Sequence, residues 1–169
     1  MGAVTQAQGA VAPVLVLGWG NPSRGDDALG PMLVERLRAD LAPGEGVELL
    51  DDYQLQVEHA LDLEGRQRVL FVDTSMVCEA PFGVTRLRAL RDASISTHAM
   101  SPQAVMQVFA DVLGREPPPC TLLAIRGASF ELGDPPRPAA LSHLQAAVQW
   151  AQAWLVDGAV ALQVARHHA

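Results

Sequence analysis

Residues 14–18, Val-Leu-Val-Leu-Gly, restrict the fold more than any other part of the chain. Four consecutive Val and Leu residues, closed by a glycine, are too short a run for a helix. Their unbroken apolarity matches a strand buried on both faces, as in a parallel sheet. The chain then turns through Gly18-Trp19-Gly20-Asn21-Pro22-Ser23-Arg24-Gly25 and enters residues 27–40, which read as an amphipathic helix. Leu29, Met32, Leu33 and Leu37 repeat at three and four residues and form one apolar stripe. Pro31 is tolerated because it falls in the first turn, where its missing N–H has no helical partner. A strand, a glycine loop and a helix start frame many binding sites in α/β proteins. Here two adjacent carboxylates, Asp26 and Asp27, stand where a phosphate-binding loop would place N–H groups and cations.

The same alternation continues. Residues 47–50 read as a second strand finishing on Asp51 and Asp52, and residues 53–63 as a weaker helical segment stopped near Gly65. Residues 68–72 read as a third strand finishing on Asp73. Residues 83–90, with Arg86 and Arg88 on one face, fit an edge strand or one arm of a hairpin. Residues 94–98 are a polar loop containing His98. Ser101-Pro102 has the form of an N-cap followed by a first-turn proline, opening a helix with Val105, Val108, Phe109 and Val112 on one face. Residues 121–125 read as the last buried strand, and Leu141, Leu144, Val148, Ala151 and Leu155 mark a long closing helix. This order predicts a three-layer α/β/α domain with a mostly parallel, twisted sheet of about five strands over residues 14–157. Residues 1–13 and 158–169 are expected to be tails.

Of the 169 residues, 49% are hydrophobic and 18% charged, a composition suited to a globular protein with a sizeable core. A formal net charge of −7 argues against non-specific binding to nucleic acid or to an anionic membrane. No apolar run approaches the roughly 20 residues that span a bilayer. Arg24 is the first basic residue, so the basic start of a signal peptide is missing. Cys78 and Cys120 form no CxxC pair, and two buried thiols in a cytoplasmic protein are expected.

Strand C-termini lie along one edge of a parallel sheet, where open α/β sheets bind ligands. Asp26/Asp27, Asp51/Asp52 and Asp73 all follow predicted strands, and His98 can reach the same edge. Carboxylates and an imidazole that converge without a balancing cation repel or rise in pKa, and a divalent ion relieves this. Mixed oxygen and nitrogen ligands suit nickel, zinc or manganese. Aspartate at a strand end or helix start also serves simply as a cap, so both accounts stand for this pattern. His59 is expected to be solvated on its helix, His143 to lie on the exposed side of the closing helix, and His167 and His168 to belong to a tail. Ser23 and Ser75 are outside any G-x-S-x-G elbow. A dinucleotide fingerprint would need glycine where Ser23 stands, and a Walker lysine is missing, which disfavours a nucleotide cofactor.

The segment Leu17-Gly18-Trp19-Gly20-Asn21-Pro22-Ser23-Arg24-Gly25-Asp26-Asp27-Ala28-Leu29-Gly30 resembles the N-terminal signature of the [NiFe]-hydrogenase maturation proteases. That signature runs Gly-x-Gly-Asn, a short loop, Asp-Asp or Asp-Glu, then a nearby glycine. The resemblance continues through Asp73, Ser96-x-His98 and the late strand and glycine loop of residues 122–133, and covers residues 14 to about 155. It implies an endopeptidase, grouped by habit with the aspartic type. Such an enzyme removes the C-terminal extension of a hydrogenase large-subunit precursor after nickel insertion and uses the nickel as its recognition feature. The family's metal-contacting and catalytic side chains fall on Asp27, Asp73 and His98, with Asn21 and Asp26 supporting them or shaping the loop. The resemblance also implies a metal carried by the precursor and contacted only transiently.

Residues 52–58, with Arg126-Gly127 and Phe130-Glu131, look like the branch that serves multimeric, cytoplasmic NAD-coupled hydrogenases. Gln54 and Glu58 are then candidates for choosing the partner, with plain surface solvation as the competing account. The free protein is expected to be a monomer. Sequence leaves open whether the metal polarises the scissile carbonyl, activates a water, or leaves the base role to an Asp. Two other functions fit the same residues: a nickel-dependent checkpoint that binds loaded precursor without cutting it, and an unrelated α/β hydrolase with a carboxylate-bound metal.

Overall fold

A computed structural model describes residues 10–42, 44–91 and 100–156. Its elements are β1 (Val14–Trp19), a short 3-10 turn (Gly25–Ala28), α1 (Leu29–Asp40), β2 (Val47–Asp52), α2 (His59–Asp62), β3 (Arg68–Ser75), β4 (Phe82–Arg86), α3 (Pro102–Leu113), β5 (Cys120–Arg126) and α4 (Pro138–Val156). The strands form one sheet in the order β2-β1-β3-β5-β4. All neighbours are parallel except β4, which runs antiparallel to β5 at the edge. The three-layer α/β/α arrangement and the edge strand expected from the sequence are both present.

The sheet separates two cores. Alternate strand residues Val16, Leu70, Val72, Leu123 and Ile125 pack beneath α1 and α4 through Leu33, Leu37, Leu144, Val148 and Trp154. Their neighbours Leu15, Leu17, Val69 and Phe71 pack on the other face beneath α2 and α3 through Ala60, Val105, Met106 and Phe109. Leu15, Leu17, Leu70 and Phe71 have no exposed surface, so β1 and β3 are buried on both faces. The α3 cap forms as its sequence predicts. Ser101 Oγ accepts from Ala104 N–H at 3.1 Å, Pro102 opens the helix and Gly114 closes it with φ of +66°.

Three local expectations are corrected. The helix predicted from residue 27 begins at Leu29, with Asp26 and Asp27 held in the preceding 3-10 turn. The helical segment predicted over residues 53–63 shrinks to His59–Asp62, and residues 53–58 form an arch instead. β3 runs on to Ser75, which puts Asp73 inside the strand opposite Ala124 rather than beyond its end. Residues 92–99, including Ser96 and His98, lie outside the described residues. Among those described, no helix is long and apolar enough to cross a membrane. Cys120 is buried, Cys78 half-buried, and both thiols are free.

Leu70→Ala, which opens a void in the core beneath α1 and α4, is expected to cost about 2–5 kcal/mol of stability. Equilibrium urea unfolding reads this as a lower midpoint with an unchanged slope.

Candidate functional site

The site begins where β1 gives way to its loop. Gly20 has φ of +149°, and a Cβ there would lie 1.9 Å from the Asp27 carbonyl oxygen. Only glycine lets the loop fold back this closely onto the 3-10 turn. At Gly30 a Cβ would meet the Trp19 carbonyl oxygen at 2.4 Å and that of Val72 at 3.0 Å. The bare backbone therefore lets α1 start directly over the ends of β1 and β3. The family-like glycines are steric requirements of this junction.

The two adjacent acids of the loop do different work. Asp26 is fully buried; its Oδ1 accepts from Arg137 N–H at 2.8 Å and its Oδ2 from Ala128 N–H at 2.7 Å. Its own N–H donates to the Ser129 carbonyl at 2.9 Å, and its carbonyl accepts from Thr74 Oγ1 at 2.8 Å. Asp26 thus joins the opening loop, the end of β3, the loop after β5 and the start of α4. Both carboxylate oxygens are engaged by backbone, so it shapes the loop and leaves coordination to others.

Asp27 is half-buried. Its Oδ2 accepts from Asn21 N–H at 2.8 Å, while Asn21 Oδ1 accepts from Ser23 N–H at 2.8 Å and fixes the turn. Burial raises the Asp27 pKa, with the Asn21 N–H and the Arg24 charge opposing the rise. Arg24 is a nearby cation that sequence reasoning did not place here. Asp73 lies on β3, and its Oδ1 accepts from Thr74 N–H at 2.8 Å. Burial pushes its pKa up to about 7; the Thr74 N–H opposes this, and the negative charge of Asp27 adds to it. The two carboxylates therefore feel each other in a partly desolvated space. Neither Asp27 Oδ1 nor Asp73 Oδ2 has a hydrogen bond to a described residue.

The remaining candidates go elsewhere. Asp51 and Asp52 end β2 beside Gly18 and Trp19, yet the strand pleat sends them to opposite faces. Asp51 reaches Arg38 of α1 at 3.4 Å, whereas Asp52 Oδ2 faces His59 Nε2 at 3.4 Å. Neither joins the Asp27–Asp73 pair. His59 is buried rather than solvated, and His143 is half-buried with Nδ1 3.0 Å from the Arg126 carbonyl oxygen rather than exposed. Gln54 and Glu58 are exposed on the arch of residues 53–58. With His98 outside the description, no group of three His, Cys, Asp or Glu residues among the described residues is placed to hold a metal. Two carboxylate oxygens without a hydrogen-bond partner among the described residues, in a desolvated setting, nevertheless suit a divalent cation, which would favour their ionised forms.

No family model and no curated protein sequence matches the chain. Solved structures do. The Escherichia coli hydrogenase maturating endopeptidase HybD superposes with a TM-score of 0.67 at 24% identity, over 86% of this chain and 93% of that one. The [NiFe] hydrogenase maturation protease HycI from Thermococcus kodakarensis gives 0.66 at 20% identity, over 86% and 94%. An endopeptidase from Escherichia coli gives 0.64 at 25% identity, over 86% and 93%. The domain thus has the fold of the hydrogenase maturation proteases, as the opening loop suggested.

Replacing Asp26 by Ala strands two buried N–H groups and is expected to destabilise the protein by about 2–5 kcal/mol, whereas Asp27→Ala costs less than about 1 kcal/mol. Thermal melts of the two variants check this contrast. Asp73 has the opposite sign. Its folded pKa of about 7 lies above the ordinary carboxylate value of 3.8, so between these values the folded state holds a proton that the unfolded chain has lost. Stability is fully present below about pH 4 and falls as pH rises through 7. Asp73→Asn is therefore expected to be more stable than wild type at pH 8–9, by about 2–4 kcal/mol, with the gap closing toward pH 4. Urea midpoints across this range measure it.

Proposed function

We propose that this protein is a cytoplasmic endopeptidase that trims the C-terminal extension from a [NiFe]-hydrogenase large-subunit precursor once nickel is in place. The observation that carries the reading is the partly desolvated Asp27–Asp73 pair, set beside the glycine loop of a maturation-protease fold. The metal belongs to the precursor. Asp27 and Asp73 each offer a carboxylate oxygen without a described partner, and with the nitrogen that the family resemblance assigns to His98, three light-atom donors would meet a cation that the precursor already holds.

Selectivity for loaded precursor follows from this electrostatic setting. In the free protein the Asp73 proton offsets burial and the Asp27 charge. A precursor bearing a divalent cation replaces that proton, and binding then releases it. A nickel-free precursor brings no such compensation and leaves two carboxylates facing each other. Cleavage is by water: no Ser or Cys nucleophile with a base is found among the described residues, and Cys120 is driven up to about 12 by burial. A cation held by Asp27, Asp73 and His98 would polarise the scissile carbonyl or activate the attacking water. Asn21 and Asp26 hold the loop, and the exposed Gln54 and Glu58 contact the precursor. Tyr53-Gln54-Leu55 supports a precursor from the NAD-coupled branch.

Asp27→Ala, Asp73→Ala and His98→Ala are each expected to reduce processing of nickel-loaded precursor by at least about a thousandfold while leaving the protein folded. Gel mobility of the large subunit over time reads the rate. A folded His98→Ala protein that trims at the wild-type rate would remove His98 from the site. For wild type, kcat/KM should rise between pH 6 and 8 as Asp73 loses its proton.

A further inference from the structure

The chemistry of Asp27 and Asp73 makes no use of His59, although it is one of few polar residues in the core, only 9% exposed. Both ring nitrogens are engaged. Nδ1 accepts from Gln56 N–H at 2.8 Å, so the ring proton sits on Nε2, which lies 3.4 Å from Asp52 Oδ2. The other oxygen of Asp52, Oδ1, accepts from Tyr53 N–H at 2.7 Å. Imidazole and carboxylate therefore meet across the base of the arch of residues 53–58 and take up two of its amides, those of Gln56 and Tyr53. Leu55, 2% exposed, is the arch's one buried anchor; Tyr53 at 68% and Val57 at 50% point outward with Gln54, Gln56 and Glu58.

The same pair reaches toward the carboxylate site through backbone. The Asp52 carbonyl accepts from Gly20 N–H at 3.0 Å, and Gly20 lies against the Asp27 carbonyl. Asp52 also lines, with Gly20, Pro22, Pro31, Asp51 and Tyr53, a cavity of about 220 Å³ at this junction. A histidine that merely filled the core would not need both nitrogens to close one loop, since a Leu or Phe fills space without any polar atom to satisfy.

We infer that His59 is a positioning residue: paired with Asp52, it holds the 53–58 arch in the shape that receives the precursor, in fixed register with the Asp27 loop. This rests on the endopeptidase reading and deepens it. A preformed arch avoids the ordering cost that a loose six-residue loop would incur on binding, so its loss appears in substrate affinity rather than in bond cleavage.

The test is steady-state processing of nickel-loaded precursor by wild type, His59→Phe, Asp52→Ala and the double variant. Amide hydrogen exchange at Tyr53 and Gln56 is followed in the same proteins. Each single variant is expected to raise KM about tenfold with kcat within about twofold, and the double variant to be no worse than either. Exchange at both amides should speed up by about tenfold or more while β1 and β3 keep their protection. His59→Gln, which still offers an N–H toward Asp52, should recover part of the KM loss. If His59→Phe does not fold, Asp52→Ala carries the same expectations from a position nearer the surface. An unchanged KM in folded variants, a fall in kcat alone, or unaltered exchange at Tyr53 and Gln56 would overturn the inference. If wild type trims no precursor, the endopeptidase reading fails and the role in precursor binding goes with it; exchange then still shows whether the pair holds the arch.

Discussion

A single fully buried carboxylate organises this molecule's working edge. Asp26 accepts one backbone N–H from each side of the β5–α4 connection and, through its carbonyl, the hydroxyl of Thr74 at the end of β3. A buried carboxylate is tolerated here because each of its oxygens accepts a backbone hydrogen bond of normal length. The consequence is positional. With Asp26 fixed, the next residue, Asp27, turns toward Asp73, and the glycine loop before it lies over the strand ends. Structural and chemical duties are divided between neighbouring acids of identical type.

The division of the two acids was only partly legible in the sequence. Family resemblance placed Asp27 in the site and Asp26 beside it, but the partners of Asp26 lie 102 and 111 residues away. No local pattern reports such contacts. The sheet itself was well marked, because strands buried on both faces carry unbroken Val and Leu runs and cannot easily be read otherwise. Asp51 and Asp52 looked like further members of the site because they also close a strand. The pleat alternates side chains between faces, so adjacent residues cannot both turn to the same ligand. One went to Arg38 and the other to His59.

His59 departs from the solvated position expected of it for a related reason. A helix over residues 53–63 would have presented it to solvent; the arch that forms instead turns it inward against Asp52. Exposed polar residues such as Gln54 and Glu58 leave helix and arch equally plausible by composition, and only the burial of Leu55 and His59 separates them. His98, the site's expected nitrogen donor, falls outside the described residues and rests on the resemblance.

The electrostatics give the proposed selectivity a physical basis. Two partly desolvated carboxylates, one with a pKa near 7, form a site that is uncomfortable when both are ionised and is relieved by a cation brought from outside. Such a site would read nickel insertion as a change of charge. The most direct measurement is the intact mass of the large subunit after incubation with the wild-type protein, for nickel-loaded and nickel-free precursor side by side. Loss of a C-terminal peptide is expected from the loaded form alone. Equal trimming of both forms, or an unchanged mass of the loaded form despite binding, would contradict it.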